Sequence, residues 1–221
     1  RFARRARLTQ DSFITEVFKY LQDKEVISFS GGFPNSATFP LHELQVSAEK
    51  VLLKEGSSVL QYATTNGDLD LRKFISERYR IRQKLDVPAN QILITSGSQQ
   101  ALDYIGKVFL EPGDTILMEE PSYLGAIQTF TSYEVDIQTV KLEEDGIDLV
   151  DLETKINHYH PKLIYLIPSF QNPSGISYSK EKRLAVADIL NKYDVILVED
   201  DPYNELYYEG CVQLPISTHI K

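Results

Sequence analysis

Four short segments carry side chains whose types and spacing can do chemistry. Ser96-Gly97-Ser98-Gln99-Gln100-Ala101 combines small residues with hydroxyl and amide donors. If it opens a helix, its unpaired backbone N–H groups lie at the positive end of the dipole and suit a phosphate. Ser98 then adds a hydroxyl and Gln99 an amide. Simple N-capping by Ser96 or Ser98 explains the same residues. There is no Lys after a glycine and no third glycine, so the loop is neither a Walker A motif nor a dinucleotide fingerprint. Glu119-Glu120-Pro121-Ser122-Tyr123 brings an aromatic to a helix start. There Tyr123 either stacks on a planar ligand or packs on its own helix. In Pro168-Ser169-Phe170-Gln171-Asn172-Pro173-Ser174-Gly175, Asn172 precedes a proline and is biased to extended backbone. Its amide offers a donor and an acceptor to a crevice; an Asx turn is equally favoured. Glu199-Asp200-Asp201-Pro202-Tyr203 sets three carboxylates in a row. They can pair with a buried cation, hold a metal or act as acid and base.

Other chemistries find no support. The four histidines, His42, His158, His160 and His219, lack ligand-like spacing, so no metal is expected. A single cysteine, Cys211, excludes an internal disulfide framework and a Cys-rich metal site. No Gly-x-Ser-x-Gly elbow is present. Lys plus Arg is 23 and Asp plus Glu 32, a net charge of −9 over 221 residues, which disfavours non-specific binding to nucleic acid or an anionic membrane. Hydrophobic residues at 42% and charged residues at 25% suit a soluble globular domain with a sizeable core. The apolar runs are short, as in Val195–Val198, against the roughly 20 residues needed to span a bilayer. No signal peptide is visible, so a cytoplasmic protein is expected.

The elements that must position these segments follow from periodicity. A basic arm, Arg1 to Arg7, precedes a helical pattern from Asp11 to Leu21, an extended piece Val26–Phe29 and a loop Ser30–Asn35. Helices are predicted over Leu41–Lys54, between Pro40 and Gly56, and over Asp68–Gln83. After Pro88 short apolar runs alternate with helices. Strands are predicted at Ile92–Thr95, Thr115–Met118, Val135–Val140, Leu163–Ile167 and Val195–Val198. Helices are predicted at Ser98–Leu110, Tyr123–Ser132, Leu149–His158 and Lys180–Tyr193. This alternation means crossover units and a mainly parallel sheet. In such sheets ligands bind beyond the carboxyl ends of the strands, where all four segments fall.

Taken together, the motifs resemble the fold-type-I aminotransferases that use pyridoxal phosphate (PLP), in the branch with 2-aminoadipate and kynurenine aminotransferases. The resemblance runs from Phe29 to Tyr208. It rests on Ser30-Gly31-Gly32-Phe33-Pro34, Leu60-Gln61-Tyr62, Thr95 to Leu102, Glu120-Pro121-Ser122-Tyr123, Gln171 to Gly175 and Glu199 to Tyr203, in the family's order. It implies an α/β fold: an incomplete large domain with a mainly parallel sheet over residues 87–221, preceded by an arm and helical segment over 1–86. By the same resemblance Ser98 and Gln99 match the phosphate site, and Tyr123 the aromatic that stacks on the pyridine ring. Asn172 and Tyr203 match the partners of the ring oxygen, and Asp200 the aspartate under the ring nitrogen. Tyr62 matches the tyrosine that reaches the phosphate from the other subunit of a homodimer. Gly32 and Asn172 fall near the substrate carboxylate. Asp200 and Tyr203 are thus the residues closest to catalysis.

The chain departs from the family's pattern at its end. The Schiff-base lysine of these enzymes lies in a Ser-x-Ser-Lys-like segment one strand later, and Lys221 lacks that context. The arginine for the substrate α-carboxylate is absent too. The resemblance therefore implies the N-terminal part of an enzyme that moves an amino group between an amino acid and a 2-oxo acid. The part alone is expected to be inactive. The alternatives are the aminotransferase-like effector domain of a GntR-type transcription regulator, which often replaces the asparagine kept here as Asn172, and a PLP-dependent lyase.

Overall fold

The computed structural model describes residues 1, 3–5, 32 and 34–221. The predicted helix over Asp11–Leu21, the extended piece Val26–Phe29 and most of the loop after it lie outside the described residues. The chain divides into two compact units, one of Arg1–Thr9 with Asn66–Lys221 and one of Gln10–Thr65. In the smaller unit helix α1 runs from Leu41 to Glu55 and stops at Gly56, whose φ of 61° suits a residue without a Cβ.

The larger unit is built mainly on short apolar runs, at residues 116–118, 163–166 and 196–198, which suit a sheet covered on both faces. Strands β1 (Thr115–Glu120), β2 (Asp136–Glu143), β3 (Gly146–Ile147), β4 (Leu163–Leu166) and β5 (Ile196–Glu199) form one sheet in the order β3-β2-β1-β4-β5. The pairs β1–β2, β1–β4 and β4–β5 are parallel, and only the short β3 is antiparallel. Helix α2 (Leu69–Arg78) precedes the sheet; α3 (Ser98–Phe109), α4 (Leu124–Thr131), α5 (Leu149–Tyr159) and α6 (Lys180–Leu190) alternate with its strands. Successive strand residues face opposite ways. Ile116, Met118, Leu163 and Tyr165 therefore pack with Leu102 of α3 and Phe130 of α4. Leu117, Ile164 and Leu166 pack with Leu152 and Ile156 of α5 and Val186 and Leu190 of α6. The register aligns Met118, Tyr165 and Val198 in one row, so the three strands end side by side.

Side chains cap three of the six α-helix starts among the described residues. Asp68 accepts from the Leu71 amide, Asp148 from the Val150 and Asp151 amides, and Ser179 from the Lys182 amide. Two expectations need correction. Ile92–Thr95 is not part of the sheet: Ile92 has extended backbone and the Ile94 amide donates to Asn66 O at 3.1 Å, but no strand pairs with it among the described residues. An apolar run supplies the propensity for a strand; a ladder partner makes it one. The helix expected over Asp68–Gln83 is α-helical only to Arg78, then opens into a π turn, Tyr79–Gln83, closed by Lys84 in the left-handed region.

The β2–β3 hairpin was not foreseen, and one glycine makes it possible. Gly146 has φ 135°, and a Cβ there would meet Tyr178 Cγ at 2.9 Å and Lys182 Cγ at 2.7 Å. Tyr178 is only 1% exposed and has no room to retreat. Gly146→Ala is therefore expected to cost about 2 kcal/mol or more, from backbone strain and overpacking together. Urea unfolding monitored by circular dichroism reads this as a lower midpoint; an unchanged midpoint contradicts it.

Candidate active site

The carboxyl ends of β1, β4 and β5 lead into the three loops singled out from the sequence. After β5, Asp200 donates its amide to Leu166 O at 2.9 Å, which extends the ladder by one residue. Its Oδ2 accepts from the Tyr165 hydroxyl at 2.7 Å. Tyr165 is fully buried, its ring edge-on to Phe130 with centroids 6.0 Å apart. Burial first, then the Asp200 charge, pushes the Tyr165 hydroxyl far above its ordinary value, so it stays a proton donor. Burial, then Asp200 and Tyr203, also raise Tyr123. Tyr123 is thus within electrostatic reach of Tyr165, Asp200 and Tyr203.

The two consecutive aspartates are not equivalent. Both Asp201 oxygens are buried without a hydrogen bond among the described residues. Burial raises the Asp201 carboxyl, while Ser169, Arg183 and Asn204 pull the other way. Asp201 lines, with Tyr79, Ile92 and Glu199, a cavity of about 520 Å³.

Helix α3 starts without a side-chain cap. Its N-cap is Gly97, with φ 85°, and no side chain bonds to its first turn. Gln100 Oε1 instead accepts from the Ser96 amide at 2.7 Å, one residue outside the helix, and Thr95 Oγ1 donates to Gly97 O at 3.0 Å. The capping expected of Ser96 or Ser98 does not occur, and the first N–H groups of α3 carry the helix's partial positive charge toward the surface. Ser98 is exposed there. The Gln99 side chain is used elsewhere: its Nε2 donates to Gly125 O at 3.2 Å and to Thr129 Oγ1. What Gln99 offers at the helix end is its backbone N–H. This bond ties α3 to the start of α4, where the Tyr123 ring covers Gly125 so closely that a Cβ would meet its Cζ at 2.6 Å.

Asn172 is half-buried in a loop held from below. Arg183, 2% exposed, donates through Nη2 to Pro168 O at 2.7 Å and Ser169 Oγ at 3.0 Å. Gly32 and Tyr62 belong to the smaller unit, where Tyr62 is fully exposed.

Two site residues were missed at the level of sequence. Tyr165 stands in an apolar strand, where a lone hydroxyl was the available signal. Glu119 follows the predicted strand Thr115–Met118 in sequence, yet it is the fifth residue of β1 and has no exposure. Its Oε1 accepts from Tyr178 Oη at 2.8 Å; its Oε2 accepts from the Ile167 amide and Gln171 Nε2, each at 3.1 Å.

This arrangement places a carboxylate, three tyrosines and an asparagine-bearing loop at one sheet edge, with an uncapped helix N-terminus tied to the same loops. A family model, aminotransferase class I and II, matches residues 24–220. The chain belongs to the class I and II aminotransferase family. It is 39% identical over 220 residues to the aromatic-amino-acid aminotransferase 1 of Thermococcus litoralis, covering 97% of this chain and 53% of that protein. It is 40% identical over 214 residues to the 2-aminoadipate transaminase of Thermus thermophilus, covering 97% and 52%. The structure superposes on the kynurenine aminotransferase of Pyrococcus horikoshii, solved in complex with PMP, with a TM-score of 0.91 at 35% identity. That match covers 100% of this chain and 55% of the other. The fold is therefore the one these aminotransferases share, and this chain spans about half the length of the curated relatives it matches. Among the described residues no helix is long and apolar enough to cross a membrane.

Glu119 generates a pH prediction. Burial pushes its carboxyl up to about 7 from an ordinary value near 4.5, and the three donors only partly offset this. The folded state then holds the proton more tightly than the unfolded chain. The stabilisation is complete below pH 4.5 and is lost as pH rises through 7, a change on the order of 3 kcal/mol. Glu119→Gln removes the titration. Measured by urea unfolding, the stability of the natural protein relative to Glu119→Gln should fall between pH 4.5 and 7 and stay level above. A difference that is flat across that window contradicts the assignment.

Proposed function

We propose that the full-length protein is a PLP-dependent aminotransferase that moves an amino group between an amino acid and a 2-oxo acid. One observation carries this: Asp200, fixed by the buried Tyr165 hydroxyl at the carboxyl edge of the sheet, lies within electrostatic reach of Tyr123, as does Tyr203. The donor set fits PLP. The uncapped start of α3, with Gly97 at φ 85°, suits a phosphate dianion, and the Ser122 hydroxyl is buried without a partner among the described residues. When bound, the cofactor supplies an electron sink for the electrons left behind as a substrate Cα proton departs.

The chain's own residues account for the rest. The Ser98 hydroxyl and the Ser98 and Gln99 amides hold the phosphate. Tyr123 covers the face of the ring and excludes water from it. The Asp200 carboxylate keeps a proton on the ring nitrogen, because an anion within hydrogen-bond range favours the charged form. An asparagine could not do this. Tyr203 and Asn172 donate to the ring oxygen and stabilise its anion. The resemblance to the family assigns the substrate carboxylate to Asn172 and to the backbone at Gly32. Tyr62 reaches the phosphate of the other subunit of a homodimer, which places two active sites at the interface. Residues 87–221 form part of the PLP-binding large domain, with 1–86 contributing to the small domain and the dimer contact.

Two experiments on the full-length protein test this reading. Asp200→Ala should lower kcat for 2-oxo-acid formation by about a hundredfold or more, roughly 1.4 kcal/mol of barrier per factor of ten, while PLP remains bound. A mild Asp200→Ala beside a crippling Asp201→Ala would show that the wrong carboxylate was chosen. Tyr62→Phe should speed PLP loss on dialysis with little change in melting temperature, and sedimentation should give a dimer. A fully active monomer contradicts the interface role.

A further inference from the structure

The loop that carries Asn172 and the loop that carries Tyr123 meet at one buried amide. Gln171 is 1% exposed and lies against Glu119. Its Nε2 donates to Glu119 Oε2 at 3.1 Å and to Pro121 O at 2.8 Å. Its Oε1 accepts from the Ser174 amide at 2.8 Å and the Ser174 hydroxyl at 2.6 Å. Its backbone amide donates to Ile176 O at 2.8 Å, and its carbonyl accepts from the Gly175 amide at 2.6 Å. Every polar atom of Gln171 is engaged, at the full capacity of a primary amide.

We propose that Gln171, seated on Glu119, is the positioning residue that sets Asn172 and Tyr123 at the cofactor ring; this rests on the aminotransferase reading above. Asn172 is the next residue along the chain, and Pro121 lies two residues before Tyr123. Movement of the Gln171 amide therefore displaces both ring contacts together. An apolar side chain of the same volume could fill the space, but it has no preferred direction. Four hydrogen bonds at fixed angles give one. A carboxylate at 171 would turn acceptors toward Glu119 Oε2 and Pro121 O, so the site requires a neutral side chain that both donates and accepts. Glu119 supplies the seat: its remaining bonds, from the Ile167 amide and the Tyr178 hydroxyl, lock it to the end of β4 and to the strand-like return after the loop.

The test uses the full-length protein loaded with PLP and compares Gln171→Leu, Ser174→Ala, Asn172→Ala and the Asn172→Ala/Gln171→Leu pair. The readouts are the pH midpoint of the visible band of bound PLP, its retention on dialysis and the far-ultraviolet circular dichroism. Asn172→Ala should raise the midpoint by about one unit, a tenfold change, because the ring oxygen anion loses a donor. Gln171→Leu should raise it comparably with native dichroism, and Ser174→Ala should move it the same way by a smaller step. The pair should shift no further than Asn172→Ala alone, since both act through one contact. An unmoved midpoint in folded Gln171→Leu, or additive shifts in the pair, overturns the inference. If Gln171→Leu does not fold, Ser174→Ala decides: its side chain is exposed, and an unmoved midpoint there overturns it as well. Failure of the natural protein to take up PLP, or an Asn172→Ala midpoint equal to the natural one, overturns the cofactor reading itself and the inference with it.

Discussion

Glu119 is a carboxylate with no exposure at the end of a central strand, and three segments converge on it. A charge or a proton there is tolerated only because the Ile167 amide, the Gln171 amide and the Tyr178 hydroxyl all donate to it. The dependence is mutual, since a buried donor left without an acceptor costs more than the net worth of the bond. Tyr178 in turn bears on Gly146, so the antiparallel edge of the sheet is shaped around the same group. Hydrophobic packing determines which faces of the sheet are covered; this polar centre determines how the loops leave it.

A second buried polar contact, Tyr165 to Asp200, works on the neighbouring strand pair. The first residue beyond β5 still pairs with β4, through the Asp200 amide and Leu166 O, so its carboxylate inherits the rigidity of the ladder. Asp201 lies one residue on, where the alternation of a strand directs its side chain away from Tyr165. Its oxygens end buried beside the cavity under Tyr79. Two chemically identical neighbours thus have unlike environments: one is held by a hydroxyl donor, and the other is shifted upward by desolvation.

Much of this is legible in the amino-acid sequence. The alternation after Pro88 specified a parallel sheet, because only both-face burial makes short, unbroken apolar strands, and four of its predicted strands and all four of its predicted helices are present. The loops with Tyr123, Asn172 and Asp200 fall at strand ends because a parallel sheet has one carboxyl edge. The strand expected at Ile92–Thr95 did not enter the sheet, and β3 was not anticipated. Both depend on which segment lies alongside, which no local pattern encodes.

Residue order alone specifies the succession of strands and helices, the chemistry available at each loop and the motif order that leads to the family. Residue type and spacing are local properties, and these features depend on nothing else. Which groups share a bond is settled only when the elements pack. Packing turned Gln99 toward α4, left the start of α3 uncapped, buried Glu119 under three donors and joined Tyr165 to Asp200 across 35 positions of sequence. Those outcomes follow from strand register and helix docking, which bring distant residues to hydrogen-bond distance. A hydrogen bond loses its strength within about an ångström of its best length, finer than any sequence pattern resolves.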